Sequence, residues 1–451
     1  MRRMFVARRV RTGRIALVGA GVIAAGAIAM FSSGGSETAE ARIGGAPLEP
    51  SEAPASEVAT FANLAETTPL PAIAATAAVK QGPATVDLDT IERDGDHYVA
   101  TMGDGRHAVL TLDPALQQLA EKLLDESRAP RGAIVAMSPD GRILALAGRR
   151  TKDNAGSREG TFDWHLATDA WAPAASVFKL VTASALVSAG VDPTGKVCYH
   201  GGIRSVLEHN LRDDKRDSRC ESLAYGVAHS NNAILGKLAF QKLVPKSLEA
   251  QAKRLGWTSA LPASLALSGG SIGELVVPAA HDLAFAQTAA GFNTEAKLSV
   301  MGGAMMAATF AREGEQPGAR LIASIDGAAV AAPPSHRVIA QDTARAVARM
   351  MVDTCDAGSA AKSFGRGNKI RVAGKTGTLA RTEPFYMEHS WFVGYAPADK
   401  PEIVVAVLLG NPESWHLRGH EAARRMIDKA LRPANVREKD RTSIREKRPR
   451  S

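Results

Sequence analysis

The chain has 451 residues, a formal net charge of +8 at pH 7 and 45% hydrophobic residues, which is the composition of a folded protein rather than a disordered one. Six arginines fall within the first fourteen residues, and the last dozen or so residues are again strongly basic. Because the excess charge sits at the two ends, the middle of the chain is closer to neutral, and we expect no nucleic-acid partner.

The N-terminus carries the pattern of a membrane anchor. Basic residues 1–14 precede an apolar run at residues 15–31, whose 17 residues are at the short end for a membrane span. Positive charge before the span predicts a cytoplasmic N-terminal tail and an exported body. We therefore expect a single-pass protein of the cytoplasmic (inner) membrane, with an uncleaved anchor and the folded domain on the periplasmic or extracellular side. A dinucleotide-binding turn around Gly19 and Gly21 is the alternative, but no buried strand follows it.

The following segments differ in composition. Residues 32–82 are rich in Ala, Pro, Ser, Thr and Glu and cannot bury enough apolar surface to order themselves, so they are predicted to form a linker. Residues 83–130 form a small lead-in segment with weak strand signals at 97–101 and 107–112. Residues 131–432 are assigned to the main folded domain, and residues 433–451 to a basic flexible tail.

Two local patterns stand at the start of the folded part. Asp113 followed by Pro114 is typical of a helix start, and leucines at helical spacing follow. Residues 132–147 contain two apolar strands around Ser138-Pro-Asp-Gly141, which predicts a β-hairpin with a tight turn. Residues 172–320 are mostly helical in pattern and rich in small residues.

The last third of the chain returns to strands. Strands are predicted at 370–378, 390–397 and 401–410, of which the third is the most apolar and so the most central, and an amphipathic helix follows at 418–431. The order is thus strands, helices, strands. We predict an α+β fold, in which the N-terminal hairpin and the C-terminal strands share one antiparallel sheet and the helical region is a large insertion.

The stretch from Pro173 to Gly190 is the clearest candidate for chemistry. Pro173 precedes the first turn of a predicted helix, Gly190 can end it, and the residues between are nearly all apolar or small, which predicts burial on all sides. Ser176 lies one turn before Lys179 on the same face. A buried lysine has a lowered pKa, so its neutral amine can take the hydroxyl proton of the serine. The alternative is a helix-starting serine and a lysine that reaches the surface.

Two more motifs follow this pair. Ser230-x-Asn232 begins 54 residues after Ser176 at a predicted helix start, where an ordinary capping turn is the alternative. Lys375-Thr-Gly begins 145 residues later, at the end of a short strand. Taken with Ser176-x-x-Lys179, this set resembles the triple motif of the penicillin-binding transpeptidases and the serine β-lactamases. The hairpin at 132–147 and the strand at 390–397 resemble the transpeptidase side of this superfamily, and the likeness covers roughly residues 109–431.

The resemblance implies a set of catalytic residues. Ser176 is the expected nucleophile and Lys179 its base. Ser230 is expected to relay a proton to the leaving amine, with Lys375 behind it, and Asn232 to orient Lys179 and to hold a substrate amide. These roles provide what acyl transfer requires, namely a nucleophile, a base and a proton path.

The resemblance also implies a substrate-binding edge. Lys375 and Thr376 are expected to bind a carboxylate, and Gly377 to keep the strand edge clear so that a peptide can lie along it as an added strand. The backbone N–H groups of Ser176 and Thr378 are expected to form the oxyanion hole. No cofactor and no metal are expected.

The substrate class implied by this family is the peptidoglycan stem peptide that ends in D-Ala-D-Ala, with β-lactam antibiotics as acylating ligands. The acyl-enzyme is attacked by the amine of another stem in a transpeptidase, or by water in a carboxypeptidase. Since the chain leaves no room for a glycosyltransferase domain before the transpeptidase part, a separate glycosyltransferase is an expected partner.

Two other classes of protein remain as alternatives. A serine β-lactamase needs a group that activates the deacylating water, and the class A signature, a Glu followed four residues later by Asn, does not occur between Ser230 and Lys375. Lys179 could still serve deacylation. A non-catalytic β-lactam sensor or scaffold is the other alternative, although such a protein would not need Ser176, Lys179 and Lys375 together.

Some residues outside the motifs also carry expectations. Cys198 and Cys220 bracket a polar loop, and in an oxidising compartment a disulfide between them would contribute about 3 kcal/mol; two free thiols are the alternative. Trp164 and Trp171 either line the cleft or pack in the core. Within residues 267–312, which fit the family pattern only loosely, the best match is the run at 268–273 together with Val277 and Pro278.

Overall fold

The structure is a computed structural model that describes residues 84–431, apart from positions 155, 203, 366 and 383–384. The predicted anchor at 15–31, the basic tails at 1–14 and 433–451 and the linker at 32–82 lie outside the described residues. In the part of the chain that is described, no helix combines the length and the apolar character needed to span a membrane.

The described residues form strands of very different lengths. In chain order they are β1 (Glu92–Asp94), β2 (His97–Thr101), β3 (His107–Leu110), β4 (Arg131–Met137), β5 (Ile143–Thr151), β6 (Gly160–Phe162), β7 (Ala172–Pro173), β8 (Lys196–Tyr199), β9 (Arg219–Ser222), β10 (Gly273–Glu274), β11 (Lys297–Leu298), β12 (Glu315–Gln316), β13 (Ile322–Ile325), β14 (Ala328–Ala329), β15 (His336–Arg337), β16 (Ala373–Arg381), β17 (Met387–Ala396) and β18 (Ile403–Asn411).

The helices lie mostly between the two groups of long strands. They are α1 (Pro114–Ser127), α2 (His165–Thr168), α3 (Lys179–Ser188), α4 (Leu223–Ala228), α5 (Asn232–Lys242), α6 (Pro245–Arg254), α7 (Leu283–Ala289), α8 (Val300–Ala311), α9 (Gln341–Asp356), α10 (Ala361–Phe364) and α11 (Gly419–Ala430). Short 3₁₀ turns occur at Leu88–Thr90, Ala175–Phe178, Glu208–Asn210 and Ala263–Leu265.

The main sheet has six antiparallel strands in the order β16-β17-β18-β4-β5-β6. The early hairpin and the late strands therefore share one sheet, as the sequence predicts, and the α+β class is confirmed. Strand β18 lies in its centre, with Leu408 paired to Trp391 on one side and to Ala133 on the other. All nine residues of β18 are buried, which explains why it is the most apolar run of the three.

Helices cover the main sheet on both faces. Side chains of β4 alternate between two clusters, with Val135 in the cluster that contains α8 and Ile134 in the cluster beneath α1 and α11. Helix α8 is buried along nearly its whole length because it lies between the sheet and the other helices of the insertion. The apolar centre of the molecule thus lies on both sides of β4, β17 and β18.

The segment at 83–130 is joined to later parts of the chain. Strands β1, β2 and β3 form a second sheet together with β13 and β14 from later in the chain. The weak strand signals at 97–101 and 107–112 therefore correspond to strands in the structure. Helix α1 packs on β5, where the Gln117 side chain donates to the Leu146 carbonyl at 3.0 Å and accepts from its N–H at 2.9 Å. A buried amide that is satisfied in this way fixes the helix on the strand.

Candidate active site

The turn that carries Ser176 is held between a short strand and a buried helix. The predicted helix begins at Ala175 as a single 3₁₀ turn and continues as α3 to Ser188, and Gly190 follows with a φ of +85°. Lys179 is the first residue of α3 and is fully buried, with none of its surface exposed. Ser176 and Lys179 therefore face the same side, one turn apart.

The Lys179 amine has three oxygen neighbours. Its Nζ lies 2.8 Å from Ser176 Oγ, 2.7 Å from Asn232 Oδ1 and 2.6 Å from the Ala290 carbonyl oxygen. Burial lowers the pKa of Lys179 well below its usual value, and the positive charge of Lys375 lowers it further.

A neutral amine has two N–H donors and one lone pair, and this decides how the three contacts are used. The amide oxygen of Asn232 and the carbonyl of Ala290 can only accept, so they take the two N–H groups. In this neutral form the lone pair is left for the hydroxyl of Ser176, which can then donate its proton toward Lys179. The geometry is that of a serine held against a base.

The second motif lies in the turn between α4 and α5. Ser230 has a φ of +56°, a strained conformation for a residue other than glycine. Asn231 caps α5 by accepting from the Ile234 N–H at 3.2 Å. The capping turn that was the alternative for the whole motif is therefore made by Asn231 alone. The side chains of Ser230 and Asn232, on either side of it, line the cleft.

The third motif lies on β16, which among the described strands pairs only with β17 and so forms an edge of the main sheet. The Nζ of Lys375 donates to Ser230 Oγ at 3.1 Å and to the Thr376 carbonyl at 3.0 Å. Burial lowers the pKa of Lys375 to about 7, so this amine exists in both protonation states near neutral pH. Ser230 therefore connects the third motif to the wall that carries Asn232.

Two glycines allow the chain to approach the Ser176 turn closely. A Cβ on Gly377 would lie 3.1 Å from the Ala174 carbonyl oxygen, so β16 can run directly beside the turn. A Cβ on Gly291 would lie 2.4 Å from the Ala175 carbonyl oxygen, and the φ of Gly291 is +84°. Ser176 is thus held between an edge strand and the segment that follows α7.

A cleft of about 980 Å³ opens over Ser176. Ser230, Asn232, Thr376 and Thr378 line it, so the three motifs meet at one place. Its remaining lining residues come from several segments: Arg204, His229, Ala290, Gly291, Phe292, Ser359, Leu379, Glu388, Ser390, Trp391, Glu413, Trp415, Arg418 and His420. Within the described ranges, no three His, Cys, Asp or Glu residues are placed to hold a metal ion.

Several contributors to the site have no motif that identifies them in the sequence. The Ala290 carbonyl binds Lys179, and the Ser359 hydroxyl lies 2.6 Å from Thr376 Oγ1. In the sequence, Gly291 looks like an ordinary glycine at the end of a helix. The run at 268–273, which fits the family pattern best within 267–312, does not line the cleft; Ala290 to Phe292 do.

The two tryptophans that precede Ser176 most closely in the sequence do not line the cleft. Trp164 and Trp171 pack against the hydrophobic core, and Trp171 Nε1 donates to the Leu166 carbonyl at 2.9 Å. Trp391 and Trp415 line the cleft instead. Of the two alternatives for the early tryptophans, core packing is therefore the one found.

A disulfide joins Cys198 and Cys220 across the hairpin of β8 and β9. Beneath it, Lys237 of α5 is fully buried and its Nζ lies 2.6 Å from Asp217 Oδ2 and 2.9 Å from the Cys198 carbonyl oxygen. The other oxygen of Asp217 lies 2.6 Å from His200 Nδ1. This buried ion pair fastens the polar loop between the cysteines to the helix that carries Asn232.

A serine beside a buried lysine whose pKa is lowered, at the edge of an antiparallel sheet, defines a class of enzyme that works through an acyl-serine intermediate. Residues 132–431 match the family model of the penicillin binding protein transpeptidase domain. The match covers well over half of the chain, and the chain belongs to this family.

Known proteins resemble the chain over most of its length. It is 24% identical to the peptidoglycan D,D-transpeptidase PbpA of Mycobacterium tuberculosis over 355 residues, which is 71% of this chain and 70% of that protein. The crystal structure of the D,D-transpeptidase domain of a peptidoglycan glycosyltransferase from Eggerthella lenta is 25% identical, with a TM-score of 0.57 over 74% of this chain and 84% of that one.

A second solved structure is similar in fold. Penicillin-binding protein A of M. tuberculosis, in its acyl-enzyme complex with ceftriaxone, has a TM-score of 0.56 at 22% identity, over 73% of this chain and 81% of that one.

Proposed function

We propose that this protein is a membrane-anchored peptidoglycan D,D-transpeptidase or D,D-carboxypeptidase, which acts on stem peptides that end in D-Ala-D-Ala and is acylated by β-lactams. The observation that carries the proposal is the contact of 2.8 Å between Lys179 Nζ and Ser176 Oγ, with the lysine fully buried. Membership of the transpeptidase family and the names of the relatives support the substrate class.

Acylation starts with the transfer of the Ser176 hydroxyl proton to the neutral Lys179 amine, as Oγ attacks the carbonyl carbon between the two D-Ala residues. The backbone N–H groups of Ser176 and Thr378 hold the developing oxyanion. Ser230, backed by Lys375, passes a proton to the leaving D-Ala amine. The C–N bond breaks, and the peptide remains on Ser176 as an ester.

The free edge of β16 binds the substrate. A peptide that lies along it extends the sheet by one strand. Gly377 lets β16 run directly beside the Ser176 turn, so the edge lies next to the nucleophile. Thr376 and Lys375 bind the terminal carboxylate, and Asn232 holds a backbone amide of the stem. An incoming amine from a second stem then resolves the ester in a transpeptidase, or water does so in a carboxypeptidase.

The placement in the cell is part of the same proposal. Residues 15–31 anchor the chain in the cytoplasmic membrane, and the linker at 32–82 follows. The domain acts on the exported side of the membrane, where the cell wall is built. A separate glycosyltransferase supplies the glycan strands. The support for the anchor is the apolar run preceded by six arginines. Membrane fractionation of the full chain, compared with a chain that lacks residues 1–31, tests it.

The experiment for the activity is labelling of the full chain in detergent with a fluorescent penicillin, followed by denaturing electrophoresis, with Ser176→Ala alongside. We expect a stable band for the native protein only. Intact penicillin without a band would favour a non-catalytic scaffold, and hydrolysed penicillin without a band would favour a β-lactamase. A stem peptide with and without an acceptor amine then separates transpeptidase from carboxypeptidase activity.

A further inference from the structure

Arg204 is a cation in the lining of the cleft, and the reaction proposed above gives it no role. Arg204 lines the cleft and is exposed, and it makes no hydrogen bond or ion pair with any residue that the structure describes. The other arginine that lines the cleft, Arg418, lies over the Trp415 ring at 5.2 Å. Arg204 is thus a cation in the cleft lining that has no partner among the described residues.

The backbone on both sides of Arg204 is fastened to the catalytic wall. The Gly202 carbonyl accepts from the Ala233 N–H at 3.0 Å, in the first turn of α5 next to Asn232. The Val206 carbonyl accepts from Gln287 Nε2 at 3.2 Å, on α7. These bonds hold the position of Arg204 on either side, so it is part of the wall rather than a loose surface residue.

Arg204 belongs to a different part of the cleft lining from the strand where the terminal carboxylate is expected to bind. Thr376 and Thr378 are on β16, while Arg204 is fastened to α5 and α7, with the Ser176 turn between them. A guanidinium pairs preferentially with a carboxylate, often through two parallel hydrogen bonds. The group that pairs with Arg204 is therefore a different carboxylate from the terminal one.

We propose that Arg204 is a specificity-determining residue that binds a second carboxylate of the peptide substrate, one that lies away from the C-terminus. The inference rests on the proposed function, since it assigns part of the same substrate. Charge-assisted hydrogen bonds of this kind correspond to about tenfold in kcat/KM.

The test compares two D-Ala-D-Ala peptides that differ only in whether their internal carboxylate is free or amidated. For the full chain in detergent, with an acceptor amine present, release of D-Ala gives kcat/KM for each peptide. We expect the native protein to prefer the free acid by about tenfold, mostly through KM, and Arg204→Ala to lose that preference. Arg216→Ala is the matched control, because Arg216 is in the same polar loop but pairs with Asp214 at 2.8 Å and does not line the cleft.

The outcomes separate the two proposals. If the native protein cleaves both peptides equally well, or if Arg204→Ala keeps the preference, the role of Arg204 is overturned while the activity stands. If neither the native protein nor Arg216→Ala releases D-Ala from either peptide, the proposed function itself fails. Loss of the preference in Arg216→Ala as well would also overturn the inference, since a general charge effect would then account for it.

Discussion

Replacement of Lys179 by Met should slow acylation strongly while leaving the protein folded. Methionine has nearly the same length and is well suited to a buried position, but it cannot accept the proton of Ser176. A positioned general base contributes about 10²–10⁴ in rate, so we expect the second-order rate of acylation by penicillin to fall by that factor. The lost contacts to Asn232 and Ala290 leave two acceptors unpaired, at about 1–3 kcal/mol each, which the removal of a buried amine partly offsets.

The assay is the time course of fluorescent penicillin labelling as a function of pH, with thermal unfolding measured in parallel. In the native protein the rate should rise with pH through the lowered pKa of Lys179 and level off well below pH 10.5, and the variant should lack this rise. Thr182→Val is the control, because it removes a buried hydrogen bond of 2.7 Å to Ala289 beside the site and leaves the base in place. A folded Lys179→Met protein that is acylated within tenfold of the native rate would refute the reasoning.

Three other perturbations follow from the packing and charges of the site. Gly291→Ala should lower the rate of acylation at least tenfold, because its Cβ would meet the Ala175 carbonyl oxygen at 2.4 Å. Gly327→Ala is the control: with a φ of +82° in open space, it should lower the free energy of unfolding by about 1 kcal/mol and leave labelling intact. Equal labelling of both variants would contradict this. The pKa of Lys375 is about 7 when folded and 10.5 when unfolded, so the unfolded chain binds more protons between these pH values and the free energy of unfolding should rise with pH. Lys375→Met should make that rise smaller in urea unfolding at pH 7 and pH 9, and an unchanged pH dependence would argue against a buried amine. Lys237→Met leaves Asp217 buried without its ammonium partner and should lower the free energy of unfolding by about 3–5 kcal/mol, again by urea unfolding; a loss below about 1 kcal/mol would show that the pair is solvated.

The main sheet and the motif residues could be predicted from the sequence because local patterns determine them. The hairpin turn at Ser138 to Gly141, the apolar run of β18 and the buried helix after Pro173 each carry their own signal. The order of strands, helices and strands then leaves few ways to close one sheet. The serine and lysine motifs identify themselves by spacing, since one helical turn places both side chains on one face.

The parts that could not be predicted depend on contacts between distant segments. Ala290 binds Lys179 through its backbone carbonyl, which no side chain in the sequence reveals. Ser359 reaches Thr376 only because α9 packs against β16. Trp415 enters the cleft from the segment after β18, while the two early tryptophans, which are nearer to Ser176 in sequence, pack in the core.

The most direct test of the account is to locate the acyl group itself. The full chain in detergent is incubated with penicillin, digested, and analysed by mass spectrometry for a peptide that gains the mass of the opened drug. The account predicts that the added mass lies on Ser176 and that Ser176→Ala carries none. An adduct on any other residue, or none at all on a native protein that consumes no penicillin, would contradict it.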